Sequence, residues 1–391
     1  MSFRLYTNIK ILSLFIVAFF GIISCGQKQE ESPYLRYTLT GQAQGTTYLI
    51  NYIDSFNRGE EIKFQVDSIL EVIDNSLSNY NPNSLVSKFN RSDTCILIDE
   101  HLLYMFLLSN EINAITDGAY DPTVKPLVNL WGFGDDPMRF DSLYVLLKDT
   151  TVRDSLVARY KDSLAYDLLD YVGFDYLLLD GDIKYNTIAQ MASGDFNDNY
   201  LCKDDSLVQI GFNAMAQGYS ADVIAEFLNF RLNIGDYLVE IGGEITAQGV
   251  RLDGKPWRVR VENPDINNPN KQPALAELDM DEFRSIAVSG NYRNYIKGNN
   301  ETIGHCIDPR TGHPSKNKII SVTVVAEEAA VADAYATAFM VMDFVEIIMI
   351  TSANEDLDVF FVFENEYGEL ESFASYNLED IFLPLVRDSL K

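Results

Sequence analysis

The chain has 391 residues, of which 47% are hydrophobic, so it can bury the core of one large domain or of two. Its formal net charge is −28, because 58 acidic residues face 30 basic ones. This charge excludes the classes of protein that bind nucleic acid through a basic surface. An anionic ligand would need a metal ion or local hydrogen-bond donors to offset the repulsion.

The first residues are typical of an exported lipoprotein. Arg4 and Lys10 precede the uncharged run Ile11–Ile23, which is too short to span a bilayer as a helix. The run ends in Ile-Ile-Ser-Cys, where the small Ser24 before Cys25 suits cleavage by a lipoprotein signal peptidase. A short hydrophobic anchor followed by a chance cysteine is the alternative interpretation.

This pattern predicts a signal peptide over residues 1–24, a lipid anchor and linker over residues 25–33 with acylation at Cys25, and one domain over residues 34–391. We therefore expect a membrane-anchored lipoprotein on the periplasmic side of a bacterial cell envelope. Cleavage removes two basic residues and no acidic ones, which lowers the net charge to −30.

Three further cysteines, Cys95, Cys202 and Cys306, follow Cys25 in the chain. They are widely spaced and form no CxxC motif. This arrangement predicts no disulfide framework, and Cys306 is expected to be a packing residue of a strand.

The N-terminal part of the domain predicts two strands followed by two helices. Tyr34–Tyr52 alternates around two glycines, which predicts two strands that meet at a bend. The bend carries Ala43-Gln44-Gly45-Thr46-Thr47-Tyr48, where a glycine allows a ligand ring to lie close to the backbone. A plain β-bulge glycine is the alternative. Apolar residues at helical spacing predict helices over Phe64–Leu77 and Leu102–Thr116.

Two loops that follow these helices carry polar and aromatic residues. Asn79-Tyr80-Asn81-Pro82 follows the first helix, and Gly118-Ala119-Tyr120-Asp121-Pro122 follows the second. Because Asp121 precedes a proline, it disfavours a helical conformation, so this segment is predicted to be a fixed loop whose backbone can bond a ligand. For Tyr80, packing on the core at the helix end is the alternative.

The middle of the chain predicts helices, strands and one insertion. Asp135–Tyr171 is charged and helical in pattern, and Leu177–Ile183 predicts a hairpin around Asp180-Gly181. Tyr185–Asp205 is polar and predicts an inserted loop. Ile210–Ala225 predicts the start of a helix packed on a sheet.

Short runs rich in β-branched and aromatic residues predict further strands. These strands are Asp236–Ile241, Trp257–Val261, Ser285–Ser289, Ile319–Val325, and the hairpin of Asp358–Phe363 with Leu370–Ala374. An amphipathic pattern predicts a closing helix over Leu378–Leu390.

The segment Glu301–Met342 combines a rigid turn, a strand and a helix. His305-Cys306-Ile307 leads into Asp-Pro-Arg-Thr-Gly, in which proline presets φ and glycine allows a positive φ. The Ala-rich run Glu327–Met342 predicts a helix on which Asp333 and Thr337 share one face. A carboxylate and a hydroxyl are hard oxygen donors of the kind that Mg²⁺ accepts. An aspartate bonded to a threonine on a solvated face is the plainer alternative.

The motifs from Ala43 to Met342, taken in this order, resemble the ApbE family of FAD:protein FMN transferases, also known as thiamine biosynthesis lipoproteins. The resemblance implies an α+β fold of antiparallel sheets with packed helices, similar to T-fold units, with FAD in a cleft between subdomains. It also implies transfer of FMN from FAD onto a threonine of an acceptor flavoprotein, for instance a subunit of a membrane redox complex, with release of AMP.

The resemblance also implies roles for individual residues of this sequence. His305 stands at the motif histidine and is the expected base that takes the threonine proton. The Ala214 carbonyl, Asp333 and Thr337 are the expected ligands of Mg²⁺, which would neutralise the pyrophosphate. The residues expected to contact FAD are Gln44, Tyr80, Ala119, Tyr120, Asp121, Gly211, Gln217 and Ile307.

Two positions depart from the family pattern. Gly211 stands where the family usually has an aspartate, and Gln217 stands where it has a lysine that contacts FAD. Gln217 can still hydrogen bond, but it carries no charge to meet a phosphate. Two other functions therefore remain open. One is hydrolysis of FAD to FMN and AMP at the same metal site, and the other is flavin binding by a lipoprotein without catalysis.

Overall fold

The computed structural model describes residues 34–138, 150–181, 198–264, 274–280, 284–291, 295–297, 302–379 and 381. The predicted signal peptide, Cys25 with its linker, and most of the predicted closing helix lie outside these ranges. Within them, no helix has both the length and the apolar character needed to cross a membrane.

Strands and helices are labelled here in chain order. The strands are β1 (Leu35–Ala43), β2 (Thr46–Asp54), β3 (Ile96–Ile98), β4 (Leu177–Asp180), β5 (Asn199–Lys203), β6 (Tyr237–Ile241), β7 (Glu244–Gln248), β8 (Trp257–Glu262), β9 (Ala274–Met280), β10 (Arg284–Gly290), β11 (Tyr295–Lys297), β12 (Thr302–Gly304), β13 (Ile307–Asp308), β14 (His313–Pro314), β15 (Ile319–Ala326), β16 (Asp358–Glu364) and β17 (Leu370–Ala374). The α-helices are α1 (Gly59–Leu77), α2 (Leu85–Arg91), α3 (Glu100–Ile115), α4 (Lys125–Trp131), α5 (Thr150–Leu169), α6 (Ala216–Glu226), α7 (Ala329–Phe339) and α8 (Phe344–Ala353). Short 3₁₀ turns span Pro122–Val124, Phe174–Tyr176 and Tyr376–Leu378, and a π-helical turn spans Phe227–Arg231.

One antiparallel sheet of eight strands forms the centre of the fold, in the order β1-β2-β6-β7-β10-β15-β16-β17. β15 lies inside this sheet and every one of its residues is buried, as its unbroken run of uncharged, mostly β-branched residues requires. A smaller sheet has the order β3-β5-β4, and β8 pairs with β9 in a two-stranded ribbon.

The two faces of the large sheet are covered differently. Ala287 and Val324 point to the side on which α6 and α7 pack. Their sequence neighbours Ile286 and Val325 point to the other side and contact the β8–β9 ribbon, which contributes the buried Trp257. The sheet is therefore the middle layer of the fold, and the helices on one side of it carry the predicted metal ligands.

Helices α6 and α7 approach each other closely. A Cβ atom on Gly218 of α6 would lie 2.3 Å from the carbonyl oxygen of Ala329, at the start of α7. Asp222, one turn further along α6, accepts hydrogen bonds from the amides of Ala329 at 2.9 Å and Ala330 at 2.8 Å. The Asp222 carboxylate thus caps α7 and fixes its position against α6.

The predicted α+β class, with antiparallel sheets and packed helices, is confirmed. The two strands at the N-terminus and the hairpin of β16 with β17 also agree with the predictions. Helix α1 begins at Gly59, earlier than predicted, because Glu60 and Glu61 in its first turn suit the positive end of the helix dipole. Elements that the predictions omitted include α2, α4, α8, β3, β7 and β9.

The second half of the predicted hairpin around Asp180-Gly181, residues 182–183, lies outside the described residues. Leu177–Asp180 forms β4, which pairs with Asn199–Lys203 of β5. The polar segment Tyr185–Asp205, predicted to be a loop, therefore contains a strand that lies between two partners. Pairing on both sides outweighs the weak strand propensity of this sequence.

The prediction that the chain has no disulfide is also wrong. Cys95, just before β3, bonds to Cys202 in β5, 107 residues away in sequence. Sequence spacing could not predict this disulfide, because the disulfide depends on the register in which Ile96 pairs with Leu201. Cys306 is buried and free.

Candidate functional site

A cleft of about 1230 Å³ lies where distant parts of the described chain meet. Its walls come from the β1–β2 turn, the loops after α1 and α3, helix α4, the start of α6, the β6–β7 turn, β8, the end of β10, the segment at β13, and α7. This volume suits a ligand of cofactor size.

Eleven of the twelve candidate residues within the described ranges line this cleft. They are Tyr80, Ala119, Tyr120, Asp121, Gly211, Ala214, Gln217, His305, Ile307, Asp333 and Thr337. Gln44 does not line it: this residue has a φ of 48° in the β1–β2 turn, and its side-chain amide donates to Ser220 Oγ at 2.6 Å. Gln44 therefore supports the β1–β2 turn next to the cleft, and Thr46 and Thr47 form the cleft wall there.

Asp333 lies on the buried face of α7 and reaches the cleft. Its Oδ2 atom accepts a hydrogen bond of 3.4 Å from the Gly218 amide. Burial raises the pKa of this carboxyl, and Asp222 nearby raises it further, whereas the Gly218 amide opposes the shift. A buried carboxylate with so little compensation favours a bound cation. The alternative of a solvated aspartate is excluded.

The residues around Asp333 fit a magnesium ion. Thr337 stands one helical turn after Asp333, and Ala214 lies just before α6, so that a carboxylate, a hydroxyl and a carbonyl group line the same cleft. These are the hard oxygen donors that Mg²⁺ takes, with water and substrate phosphate in its other positions. The described residues contain no group of three or more His, Cys, Asp and Glu side chains that could hold a metal ion, so Asp333 would supply the charge.

His305 lies on the cleft wall just before β13 and is partly exposed. Its Nε2 atom is 3.9 Å from Cys306 Sγ, and its ring meets that of Phe133 edge to face with 6.3 Å between centroids. Burial raises the pKa of the Cys306 thiol to about 12, so the thiol stays neutral and is no nucleophile. His305 is therefore a residue of the cleft wall with Cys306 and Phe133 as neighbours.

Asp121 fixes the loop after α3. Its Oδ1 atom accepts a hydrogen bond of 2.8 Å from the amide of Thr123, and its Oδ2 atom accepts one of 3.1 Å from Asn113 Nδ2. Burial raises the pKa of the Asp121 carboxyl to about 6. The Tyr120 side chain points into the core, where its hydroxyl contacts Met215 and Ser109. Contacts from this loop to a ligand would come mainly from its backbone, as predicted.

The remaining candidates differ in exposure. Tyr80 is 67% exposed at the edge of the cleft, which leaves its ring free for stacking and excludes packing on the core. Ile307 is buried in β13 against the cluster that contains Leu127 and Leu130. Ala119 is buried in the loop before Asp121.

The two departures from the family pattern both face the cleft. The Gly211 amide donates to the Pro122 carbonyl at 2.9 Å, which ties this segment to the Asp121 loop. Gln217, near the start of α6, lies against the β6–β7 turn, where a Cβ atom on Gly242 would be 2.6 Å from its Oε1 atom. Neither position carries a charge toward the cleft.

Several residues of the cleft were not identified from the sequence. Lys125 and Asp135 form an ion pair on the wall beside Gly211, and Asn79 lies next to them. Phe133 also lines the cleft, where its ring meets that of His305. A lysine in the first turn of a short helix carries no motif, so tertiary structure alone reveals its position.

Comparison with known proteins places these features in one family. The model of the ApbE family matches residues 44–361. An FAD:protein FMN transferase of Vibrio cholerae is 30% identical over 349 residues, which cover 88% of this chain and 92% of that protein. The enzyme of the same name from Haemophilus influenzae is 28% identical over 366 residues, covering 92% of this chain and 95% of the relative.

Solved structures agree with the sequence comparison. The flavin transferase ApbE from Vibrio cholerae superposes with a TM-score of 0.71 at 27% identity, covering 90% of this chain and all of that one. The apo flavinyl transferase ApbE from Pseudomonas stutzeri gives a TM-score of 0.70 at 27% identity, covering 89% of this chain and 97% of the other.

Proposed function

Since the chain belongs to the ApbE family of flavin transferases, we propose that it moves FMN from FAD to a threonine side chain of an acceptor protein and releases AMP in a Mg²⁺-dependent reaction. The observation that carries the proposal is the common cleft. It brings His305 together with the oxygen donors Ala214, Asp333 and Thr337.

In the proposed reaction the threonine oxygen bonds to the phosphorus of the FMN half, and the bond from that phosphorus to the AMP oxygen breaks. A threonine hydroxyl is a weak nucleophile, so a base must take its proton. His305 is the base that we assign, because its ring is partly exposed on the cleft wall and histidine titrates near neutral pH. The proton leaves on the imidazole and the negative charge leaves with AMP.

The other residues hold FAD in place. A magnesium ion held by Asp333, Thr337 and the Ala214 carbonyl would neutralise the pyrophosphate while the bond to AMP breaks. Tyr80 offers a ring for stacking at the edge of the cleft, and the Ala119–Asp121 loop offers backbone groups. These contacts orient the phosphorus toward the incoming hydroxyl.

The test is incubation with FAD and Mg²⁺, with and without a flavin-accepting subunit of a membrane redox complex. Transfer yields a fluorescent flavin bound to the acceptor in a denaturing gel, together with free AMP. Free FMN without labelled acceptor would instead indicate the hydrolase. The absence of both free FMN and labelled acceptor would indicate flavin binding without catalysis. Threonine-to-alanine substitution in the acceptor must abolish labelling.

We also propose that the mature protein is a lipoprotein anchored through Cys25 on the periplasmic side of the cell envelope, where it meets its acceptor. The disulfide of Cys95 with Cys202 supports this location, since disulfides persist in oxidising compartments such as the periplasm. Cys25→Ala should release the protein from the membrane fraction and abolish incorporation of labelled fatty acid. Unchanged fractionation and labelling would contradict the proposal.

A further inference from the structure

The charges that line the cleft do not suit an anionic dinucleotide unless a cation compensates for them. Two Lys or Arg side chains are found among the described lining residues, Lys125 and Arg260. Six acidic side chains line the same cleft: Asp121, Asp135, Glu240, Glu244, Glu262 and Asp333. One proposed Mg²⁺ ion on Asp333 would halve the formal excess of negative charge without removing it, so each cation on the wall matters for binding phosphate.

The arginines of this region offer no buried cation to the described cleft wall. Arg260 of β8 is 67% exposed and lies 3.7 Å from Glu277 across the ribbon. Arg258 forms an ion pair with Asp279 on the surface, and Arg251 pairs with Asp253; neither of them lines the cleft. This leaves Lys125 as the buried cation of the described wall.

Lys125 is the first residue of α4, and its side chain is 9% exposed. Its Nζ atom forms an ion pair with Asp135, whose side chain is 19% exposed on the same wall. An ammonium group has three hydrogen-bond donors. Asp135 is its partner within the described residues, so the carboxylate holds the ammonium in place while further donors remain for a ligand.

The glycine at position 211 makes room for Asn79, which lies beside this lysine. A Cβ atom on Gly211 would lie 3.6 Å from Lys125 Cδ and 2.8 Å from Asn79 Nδ2. Asn79 is itself buried, and its Oδ1 atom has no hydrogen-bond partner in the part of the chain that the structure describes. Asn79 Oδ1 is an acceptor and so suits a donor group of a ligand, whereas the Lys125 ammonium beside it suits a phosphate.

We propose that Lys125 binds a phosphate of FAD and so supplies the charge that Gln217 lacks. In this chain the phosphate-binding cation thus comes from α4, on the wall next to Gly211, and not from the start of α6. The inference rests on the proposed function, because it takes FAD as the ligand of the cleft.

The test compares the affinity of FAD with that of riboflavin, which lacks phosphate, by flavin fluorescence without Mg²⁺. Lys125→Met keeps the aliphatic stem and removes the charge, so it should weaken FAD binding roughly tenfold and leave riboflavin binding unchanged. Lys125→Arg should retain most of the affinity for FAD. The loss in Lys125→Met should also shrink at high salt.

Two further variants separate binding from folding. Lys203→Met is the matched control, because Lys203 is also buried but donates to the carbonyls of Ser206 and Val208 outside the cleft. It should leave the affinity for FAD unchanged even if the protein melts earlier. The double variant Lys125→Met with Asp135→Asn removes both charges of the ion pair, so it should fold. Its affinity for FAD should still be lower than that of the wild type, while its affinity for riboflavin should be unchanged.

The outcomes are distinguishable. Equal FAD affinity in wild type and Lys125→Met would overturn the inference while leaving the proposed function intact. An equal loss of FAD and riboflavin affinity would also overturn it, since that result indicates a structural role. A wild-type protein that binds no FAD either without or with Mg²⁺ would instead contradict the proposed function itself.

Discussion

Asp333 is buried on α7, where it accepts a hydrogen bond from the Gly218 amide, and it forms no ion pair within the described residues. Its charge therefore destabilises the fold unless a cation lies next to it. We expect Asp333→Asn to abolish Mg²⁺-dependent transfer and to keep or raise the melting temperature, because it removes a buried charge. Activity titrated against Mg²⁺, together with thermal melting, measures both effects.

The matched control for Asp333→Asn is Asp222→Ala. It removes another buried carboxylate, which lies on α6 one turn after Gly218. Asp222 accepts two backbone hydrogen bonds at the start of α7, so its loss should lower the free energy of unfolding by about 1–3 kcal/mol. If Asp333→Asn destabilised the protein as Asp222→Ala does while keeping its dependence on Mg²⁺, Asp333 would be a structural residue.

Gln217 lines the cleft without a charge, and the acidic residues of the cleft outnumber the basic ones. We expect Gln217→Lys to tighten FAD binding about tenfold, since a charged donor to phosphate contributes roughly 1.5–3 kcal/mol against about 1 kcal/mol for a neutral one. FAD titration by flavin fluorescence at one salt concentration measures the change. Equal or weaker binding would show that position 217 does not face the phosphates.

At this scale, the sequence motifs named eleven of the residues that line the cleft, because the residues of a motif lie together in the chain. Asp333 and Thr337 follow from helical spacing within a single element. Lys125 and Asn79 could not be found in this way. Their place beside Gly211 depends on loops that are far apart in sequence.

At the scale of elements, the contact between α6 and α7 positions the proposed metal ligands. Gly218→Ala would place a Cβ atom 2.3 Å from the Ala329 carbonyl oxygen, and backbone atoms cannot move aside as a side chain can. We expect it to lower the free energy of unfolding by about 1–3 kcal/mol and to weaken Mg²⁺-dependent FAD binding, because α7 must shift. Urea unfolding and FAD titration measure the two effects.

Gly235→Ala is the control for this substitution, because nothing lies within 4 Å of a Cβ atom at Gly235. It should leave both stability and FAD binding close to those of the wild type. A stable Gly218→Ala variant with normal binding would show that the two helices can separate without loss of the site.

Elements with strong periodicity were predicted well, and elements defined by their partners were not. The buried run of β15 and the Ala-rich α7 carry their own signal in the sequence. β5 is a polar segment that becomes a strand through its pairing with β3 and β4. The disulfide of Cys95 with Cys202 follows from that same pairing, so both were missed together.

At the scale of the whole molecule, acidic groups are buried in a protein with a net charge of −28. Asp222, Glu226 and Glu328 lie near one another where α6 meets the start of α7, and the pKa of each is raised, first of all by burial. Glu328 also accepts a hydrogen bond from the Tyr104 hydroxyl, which opposes the shift at Glu328. This acidic cluster makes the stability of the fold depend on pH.

The sign of that dependence follows from Glu226, whose pKa burial and Glu328 raise from 4.5 in the unfolded chain to about 7 in the folded protein. Between these values the folded state binds more protons than the unfolded state, so the stabilising contribution is complete below pH 4.5 and is lost as pH rises through 7. We expect Glu226→Gln to match the wild type in melting temperature near pH 4 and to exceed it at pH 8.

The control is Glu277→Gln, which changes an exposed carboxylate of β9 near Arg258 and should keep the wild-type dependence of melting temperature on pH. Since Glu226 is half-buried, solvent screening reduces the size of the effect but not its direction. Parallel curves of melting temperature against pH for Glu226→Gln and wild type would show that Glu226 is not responsible.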